Sequence, residues 1–151
     1  MEMLVTADNR YLLLSFKGKP RLELWDLFRT PSPMCVQRYS GYEQSKCILI
    51  PGFAGVNQTF VVCGSESTGE DASIFIWKRD TGELLFKIPG SGFNSSFKGH
   101  SNIINQVDGC PTNPYFFVSC SDDETVKIWG VKDKIKFEIV GEQNSISSQK
   151  D

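Results

Sequence analysis

The chain has 151 residues, of which 40% are hydrophobic, and this fits about one domain with a buried core. The formal charge of −2 gives no long-range attraction for nucleic acid, so we expect no nucleic-acid partner. The longest apolar run, residues 47–56, contains Pro51 and is too short to span a bilayer, so we expect no membrane contact.

The five cysteines are an odd number and include no C-x-x-C pair. The first residues lack the basic and apolar stretches of a secretion signal. We therefore predict reduced thiols, no bound metal, and a cytoplasmic or nuclear location.

Short runs of branched and aromatic residues follow one another along the chain, separated by turn residues, and each predicts a β-strand. In chain order the runs are residues 3–6, 11–16, 22–25 and 35–39, then 47–50, 59–63, 74–77 and 84–88, then 104–107, 116–119, 126–129 and 135–140. No window keeps an apolar stripe at helical spacing, so the sequence predicts an all-β fold.

The three tryptophans end equivalent runs and divide the chain into repeats. Trp25, Trp77 and Trp129 follow one another at intervals of 52 residues. Each repeat predicts a four-stranded antiparallel meander, which buries its apolar side only when meanders stack as blades of a propeller. The predicted partial propeller covers residues 1–140, with blades at about residues 3–40, 41–88 and 99–140, and residues 141–151 are predicted to be a disordered C-terminal tail. The alternative is a β-sandwich whose tryptophans are evenly spaced by chance.

The third repeat carries the most specific motif. It reads Gly99-His100, then Pro114, then SCSDDETVKIWG over residues 119–130, and the first repeat carries Trp25-Asp26. These residues resemble the WD40-repeat family. The resemblance implies a buried structural tetrad in which Trp129 donates to Ser119, Ser119 bonds His100, and His100 bonds Asp123. The second repeat has Tyr42 in place of the histidine and the first has none, so only the third can hold the full network.

Ser119, His100 and Asp123 also match the residue types of a catalytic triad. An acyl-transfer enzyme is therefore the alternative to a structural tetrad. A nucleophilic serine needs exposure and an oxyanion hole, usually from a strained G-x-S-x-G turn, and the chain has no such sequence. Ser119 also follows a run with the character of a buried strand. We therefore predict a non-catalytic protein without a cofactor.

A narrower resemblance points to one branch of the family. Residues 38–41, 62–66, 74–77 and 119–130 are similar to the last blades of the WD-repeat-26 proteins. That branch includes the WD-repeat subunit of the GID (CTLH) ubiquitin ligase. The resemblance implies a scaffold that helps to assemble the ligase or to present substrates for degradation. A WD40 scaffold of another complex and a truncated, non-functional propeller fragment stay open as alternatives.

Partners are expected to be other proteins that contact the rim beside the tetrad, at Tyr42, Ser101, Asn102 and Asp122. Three blades form an incomplete ring, because propellers close with about four to eight blades. We therefore expect the chain to need further blades or a partner to complete the ring. Thr30 and Ser32 each precede a proline, and the sequence leaves open whether this turn is phosphorylated or only stiffened.

Overall fold

The computed structural model describes residues 1–18, 21–92, 98–133 and 136–144. Its strands form three four-stranded antiparallel sheets of consecutive strands, and we call them the first, second and third blades. The first blade holds β1 (Glu2–Val5), β2 (Tyr11–Phe16), β3 (Arg21–Asp26) and β4 (Met34–Tyr39). The second holds β5 (Gly52–Ala54), β6 (Phe60–Cys63), β7 (Ile74–Lys78) and β8 (Leu84–Ile88). The third holds β9 (Ile104–Gly109), β10 (Phe116–Ser121), β11 (Thr125–Asp133) and β12 (Lys136–Asn144).

This architecture confirms the prediction of an all-β fold built from three meanders. Among the described residues, the helical segments are two short 3₁₀ turns, Val56–Gln58 and Gly69–Asp71. None of the described helices is long and apolar enough to cross a membrane.

The three tryptophans occupy the same place in their sheets, as predicted. Trp25 pairs with Leu12, Trp77 with Val61 and Trp129 with Phe117, each on the second strand of its blade. Successive side chains along a strand point to opposite faces of the sheet. Each blade therefore has one face that carries the tryptophan, the Trp face, and an opposite face, the reverse face.

The reverse face of the first blade packs on the Trp face of the second. The fully or nearly buried residues of this interface are Leu13, Leu22, Leu24 and Tyr39 from the first blade and Phe53, Val61, Cys63, Phe75 and Trp77 from the second. The ring of Tyr39 lies 5.7 Å from that of Trp77, measured between centroids. Trp77 therefore anchors the second blade to the first.

The same arrangement repeats between the second and third blades. Val62, Ile74, Ile76 and Ile88 of the second blade bury Ile104, Val107, Phe117 and Trp129 of the third. The inner strands β5 and β9 approach so closely that a Cβ at Gly52 would lie 2.3 Å from the Val107 carbonyl oxygen. Glycine is needed at this position because any side chain would push the two strands apart.

The predicted strand at residues 47–50 is wrong, because the first strand of the second blade is β5, which begins at Gly52. The predicted segment links the blades instead. Glu66 accepts the backbone N–H groups of Ser45, Lys46 and Cys47, and Leu49 is fully buried in the first interface. The segment is apolar because it is buried between blades, and a buried linker has the same composition as a short buried strand.

The end of the third blade also differs from the prediction. Strand β12 continues past residue 140 to Asn144, so a tail beginning at residue 141 is wrong for residues 141–144. Ile135, which opens the predicted strand, and residues 145–151 lie outside the described residues.

We expect the interface between blades to dominate stability. Ile74 is 1% exposed between the second and third blades, whereas Leu84 of the same sheet is 46% exposed. Replacing Ile74 with Ala should lower the free energy of unfolding by about 2–5 kcal/mol, the usual cost of emptying a packed core site. Leu84→Ala is the matched control and should change it by less than about 0.5 kcal/mol. Urea unfolding at one protein concentration measures both, and equal losses would contradict the stacked-blade interpretation.

Candidate functional site

The connections of the second and third blades gather at one end of the sheets. Because the strands are antiparallel, the segments that link blades lie at the same end as the turns between the second and third strands of a blade. We call this end the rim, formed by residues 40–51, 64–73, 89–92, 98–103 and 122–124. The residues predicted to contact partners, Tyr42, Ser101, Asn102 and Asp122, belong to these segments.

The third blade contains a continuous buried hydrogen-bond network. Trp129 Nε1 donates to Ser119 Oγ over 2.8 Å, and Ser119 Oγ lies 2.7 Å from His100 Nε2. His100 Nδ1 lies 2.8 Å from Asp123 Oδ2. The four groups are mutually satisfied when Ser119 donates to Nε2 and the proton of the imidazole sits on Nδ1. The structure thus brings together all four residues of the expected tetrad.

The Asp123 carboxylate connects this network to the rim. It accepts the backbone N–H of Ser101 on Oδ2 and both the N–H and the hydroxyl of Thr125 on Oδ1. Burial alone raises the pKa of Asp123, but the hydrogen bonds from Thr125, Ser101 and His100 outweigh it and lower the pKa to about 2. The carboxylate therefore stays ionised and holds two rim segments together.

Sequence reasoning did not assign Thr125 or Ser121 to this network. Thr125 Oγ1 lies 2.6 Å from Asp123 Oδ1, and Ser121 Oγ accepts the Asp123 backbone N–H and donates to the Asn102 carbonyl. The available signal was the spacing around Asp123, because short polar side chains two residues apart commonly bond backbone groups in turns.

A substrate cannot reach Ser119, so the catalytic-triad interpretation fails. Ser119 and His100 are each 1% exposed, and the serine oxygen already accepts the indole N–H of Trp129. A substrate carbonyl would have to displace Trp129 from the packed interface between blades to reach the oxygen. The arrangement can transmit rigidity between strands and rim, but it cannot present a nucleophile to a substrate.

Tyr42 is not a rim contact, and that expectation was wrong. Its side chain is 3% exposed and packs edge-on against Trp77, with 5.9 Å between ring centroids. Its hydroxyl lies 3.3 Å from the side-chain amide of Gln44. Tyr42 stands where a histidine would stand in a complete repeat, and the larger ring fills that space in the core instead of facing solvent.

The second blade satisfies its indole without a tetrad. Trp77 Nε1 donates to the Ser40 carbonyl over 3.2 Å. The register equivalent of Ser119 is Cys63, whose burial raises its pKa to about 12, so the thiol stays neutral. Asp71, which has the same spacing to its tryptophan as Asp123, is exposed on a 3₁₀ turn of the rim.

The first blade uses a third arrangement. Trp25 Nε1 donates to Glu23 Oε2 over 3.0 Å, and Arg38 Nε donates to Glu23 Oε1 over 3.0 Å. Burial raises the pKa of Glu23, but the hydrogen bonds from Arg38 and Trp25 and the charge of Arg21 outweigh it and lower the pKa. The buried carboxylate thus stays ionised, with its charge balanced by arginine.

The remaining predicted rim residues lie together on the third blade. Ser101 and Asp122 are exposed and Asn102 is half-buried. Asp122 accepts Asn105 Nδ2 on Oδ1 over 2.6 Å, and its N–H donates to the Ile103 carbonyl. Asn102 Nδ2 lies 3.5 Å from the Asp122 carbonyl oxygen. These bonds fix the positions from which the side chains face solvent.

The opposite end of the sheets holds a cavity of about 580 Å³. All three blades contribute to its lining, which includes Asp8, Gln58, Arg79 and Asp108. Arg79 is already bonded to Asp80 and to the Asn57 carbonyl. Within the part of the chain that the structure describes, no group of three or more His, Cys, Asp or Glu side chains could hold a metal ion.

Comparison with known proteins agrees with this geometry. The family model described as "WD domain, G-beta repeat" matches residues 92–130, which contain the whole tetrad. Residues 92–130 therefore form a repeat of the WD40 type. The β-propeller domain of Cps50 (Swd1) from Myceliophteria thermophila superposes with a TM-score of 0.64 and 12% identity, covering 87% of this chain and 38% of that one. The WD40 blades described above therefore form an arc of a β-propeller.

Two relatives are similar to most of this chain. The WD repeat-containing protein 26 homolog of Arabidopsis thaliana is 35% identical over 127 residues, which is 84% of this chain and 19% of that protein. GID complex subunit 7 of Schizosaccharomyces pombe is 33% identical over 129 residues, which is 85% of this chain and 22% of that protein. The chain thus spans about a fifth of the length of these relatives.

We expect loss of the central WD40 hydroxyl to destabilise the fold. Ser119→Ala removes the hydroxyl that accepts from the Trp129 indole and bonds His100 Nε2, at about 1–3 kcal/mol for each buried hydrogen bond lost. Ser73→Ala is the matched control, because the Ser73 hydroxyl is buried without a hydrogen-bond partner among the described residues. Chemical denaturation should show a large loss for Ser119→Ala and little change or a gain for Ser73→Ala. Equal effects would show that the network adds nothing.

The contribution of Asp123 should depend on pH. Because its folded-state pKa of about 2 lies below the ordinary value of 3.8, its stabilisation is complete above pH 5 and is lost as the pH falls toward 2. The free energy of unfolding of the wild type should therefore exceed that of Asp123→Asn at pH 6, and the difference should shrink on acidification. Asp80→Asn, at an exposed turn, controls for the loss of one charge. A difference that is constant from pH 6 to pH 2.5 would contradict the assignment.

Proposed function

We propose that these blades are part of a non-catalytic interaction scaffold in a ubiquitin ligase of the GID (CTLH) type. The similarity to GID complex subunit 7 and to a WD repeat-containing protein 26 homolog, each over most of this chain, supports the proposal. In this role the blades help to assemble the ligase or to hold a substrate for ubiquitination. The five free cysteines agree with a reducing compartment, so the proposed location is the cytoplasm or nucleus.

The observation that carries the proposal is the hydrogen-bonded rim of the third blade. The tetrad is buried, yet its Asp123 carboxylate holds the backbone of Ser101 directly. Two further bonds anchor Asn102 and Asp122 to their neighbours. A surface whose backbone is fixed before binding loses less conformational entropy when a partner docks.

The rim is acidic, which indicates the kind of partner surface it suits. Exposed acids outnumber exposed bases among its described residues, with Glu43, Glu70, Asp71, Asp122 and Glu124 against Lys46 and Lys98. A basic segment of a partner subunit or substrate complements this charge. Binding should therefore weaken as the salt concentration rises.

Capture from cells tests the proposal with two matched charge reversals. Tagged wild type should recover identified subunits of the ligase by mass spectrometry, and Asp122→Lys should reduce that recovery at least about tenfold. Glu83→Lys makes the same charge change in the turn at the opposite end of the second blade and should recover the subunits like the wild type.

The outcomes separate the two parts of the proposal. If the wild type recovers no ligase subunit, the ligase assignment is wrong. If recovery is equal for Asp122→Lys and Glu83→Lys, the rim of the third blade is not the contact surface. Circular dichroism of both variants confirms that each is folded before capture.

A further inference from the structure

The two ends of the arc expose opposite halves of the same interface. At one end, no blade among the described residues lies against the Trp face of the first blade, and Met3 and Val5 are 65% and 43% exposed beside the half-buried Trp25. At the other end, the reverse face of the third blade exposes Val118, Val126 and Ile128. Contiguous exposed apolar surface of this kind marks a protein contact.

Strand register shows that these faces match the interior of the molecule position by position. Val118 and Ile128 pair across the third blade as Val62 and Ile76 pair across the second. The two residues of the second blade are at most 1% exposed, because the third blade covers them. The reverse face of the third blade is therefore an uncovered copy of a surface that receives a Trp face elsewhere in the chain.

The Trp face of the first blade repeats the other half of the interface. Trp25 is equivalent to Trp77 and Trp129, which are 1% and 0% exposed against the preceding blade. Its carboxylate, Glu23, is already bonded to Trp25 and Arg38 and paired with Arg21. Covering this face would thus bury no unpaired carboxylate, which is the main cost that could prevent docking.

We propose that the isolated chain associates head to tail with a second copy, the Trp face of each first blade covering the reverse face of the partner's third blade. The occupant is a second copy because one chain carries both halves of an interface that it already forms twice internally. A twofold axis relates the copies, so both ends of each arc are covered. The association does not depend on ligase membership.

The number of blades is compatible with closure. Two arcs of three blades give six blades, within the range of about four to eight found in closed propellers. The arc superposes on part of a β-propeller with a TM-score of 0.64, so its blades are already arranged as neighbours around a propeller axis. An interface between unlike faces closes into a ring when its rotation fits, and otherwise continues as a filament.

Mass measurement of the purified chain is the first test. Light scattering after size-exclusion chromatography should give twice the 17.0 kDa of one chain. Val5→Glu on the Trp face and Val126→Lys on the reverse face should each weaken dimerisation at least about tenfold, since each buries an unpaired charge. Leu84→Lys, on the outer strand of the second blade, is the matched control and should stay dimeric.

Mixing the two face variants makes the test independent of folding defects. In an equimolar mixture of Val5→Glu and Val126→Lys, the reverse face of the first variant and the Trp face of the second are both unaltered. The other junction carries both substitutions, but one unaltered junction is enough to hold two chains together. The mixture should therefore recover dimer that neither variant forms alone, and failure to recover it would overturn the head-to-tail pairing.

Other outcomes also decide the question. A folded monomer whose Trp25 fluorescence stays open to acrylamide at all concentrations would overturn the proposal and assign the faces to other blades. Polymers whose mass grows with concentration would overturn the closed ring. A dimer that Val5→Glu abolishes and Val126→Lys leaves intact would show like faces in contact, and would overturn it as well.

Discussion

Every blade of this molecule depends on a neighbour because its meander is apolar on both faces. A single four-stranded sheet of this composition would leave either Leu13 and Leu24 or Leu12 and Trp25 in water. The solution is directional, since each buried tryptophan packs into the reverse face of the blade before it. Burial between blades, at about 25 cal/mol per Å² of apolar surface, is therefore the force that holds the arc together. The short strands and tight turns set the strand register, which decides which side chains are buried between blades.

Burying an indole also buries its N–H, and the three blades solve that problem differently. Trp25 uses a carboxylate, Trp77 a backbone carbonyl and Trp129 a hydroxyl. Among the described residues, the network that starts at the hydroxyl extends furthest, because Ser119 can accept from the indole and donate to His100 at once. The network ends at a carboxylate that holds the rim. The residue types that stabilise the third blade thus also shape the surface where we propose that partners bind.

The sequence contained the repeat and the tetrad because both depend on residue type at fixed spacing. The equal spacing of Trp25, Trp77 and Trp129 predicted three equivalent sheets, and the structure has them. Tyr42 was predicted at the rim as the second-repeat equivalent of the residues beside the tetrad, yet an aromatic ring beside Trp77 gains more from burial than from solvent. Residues 47–50 were predicted to be a strand because they form a short apolar run. Such a run does not reveal whether its backbone N–H groups donate to a neighbouring strand or to a side chain such as Glu66. Such choices depend on long-range partners.

The open end of the third blade and its rim are parts of one strand. Strand β11 begins at Thr125, which is bonded to Asp123, and continues through Val126 and Ile128, which are exposed on the reverse face. Neighbouring residues of a strand point to opposite faces. Trp129 and Lys127 therefore pack on the second blade, while Val126 and Ile128 are exposed on the reverse face. Whatever covers that face also restrains β11, and through Thr125 and Asp123 it restrains the rim. Completing the ring and preparing the rim for a partner are therefore coupled through a single strand.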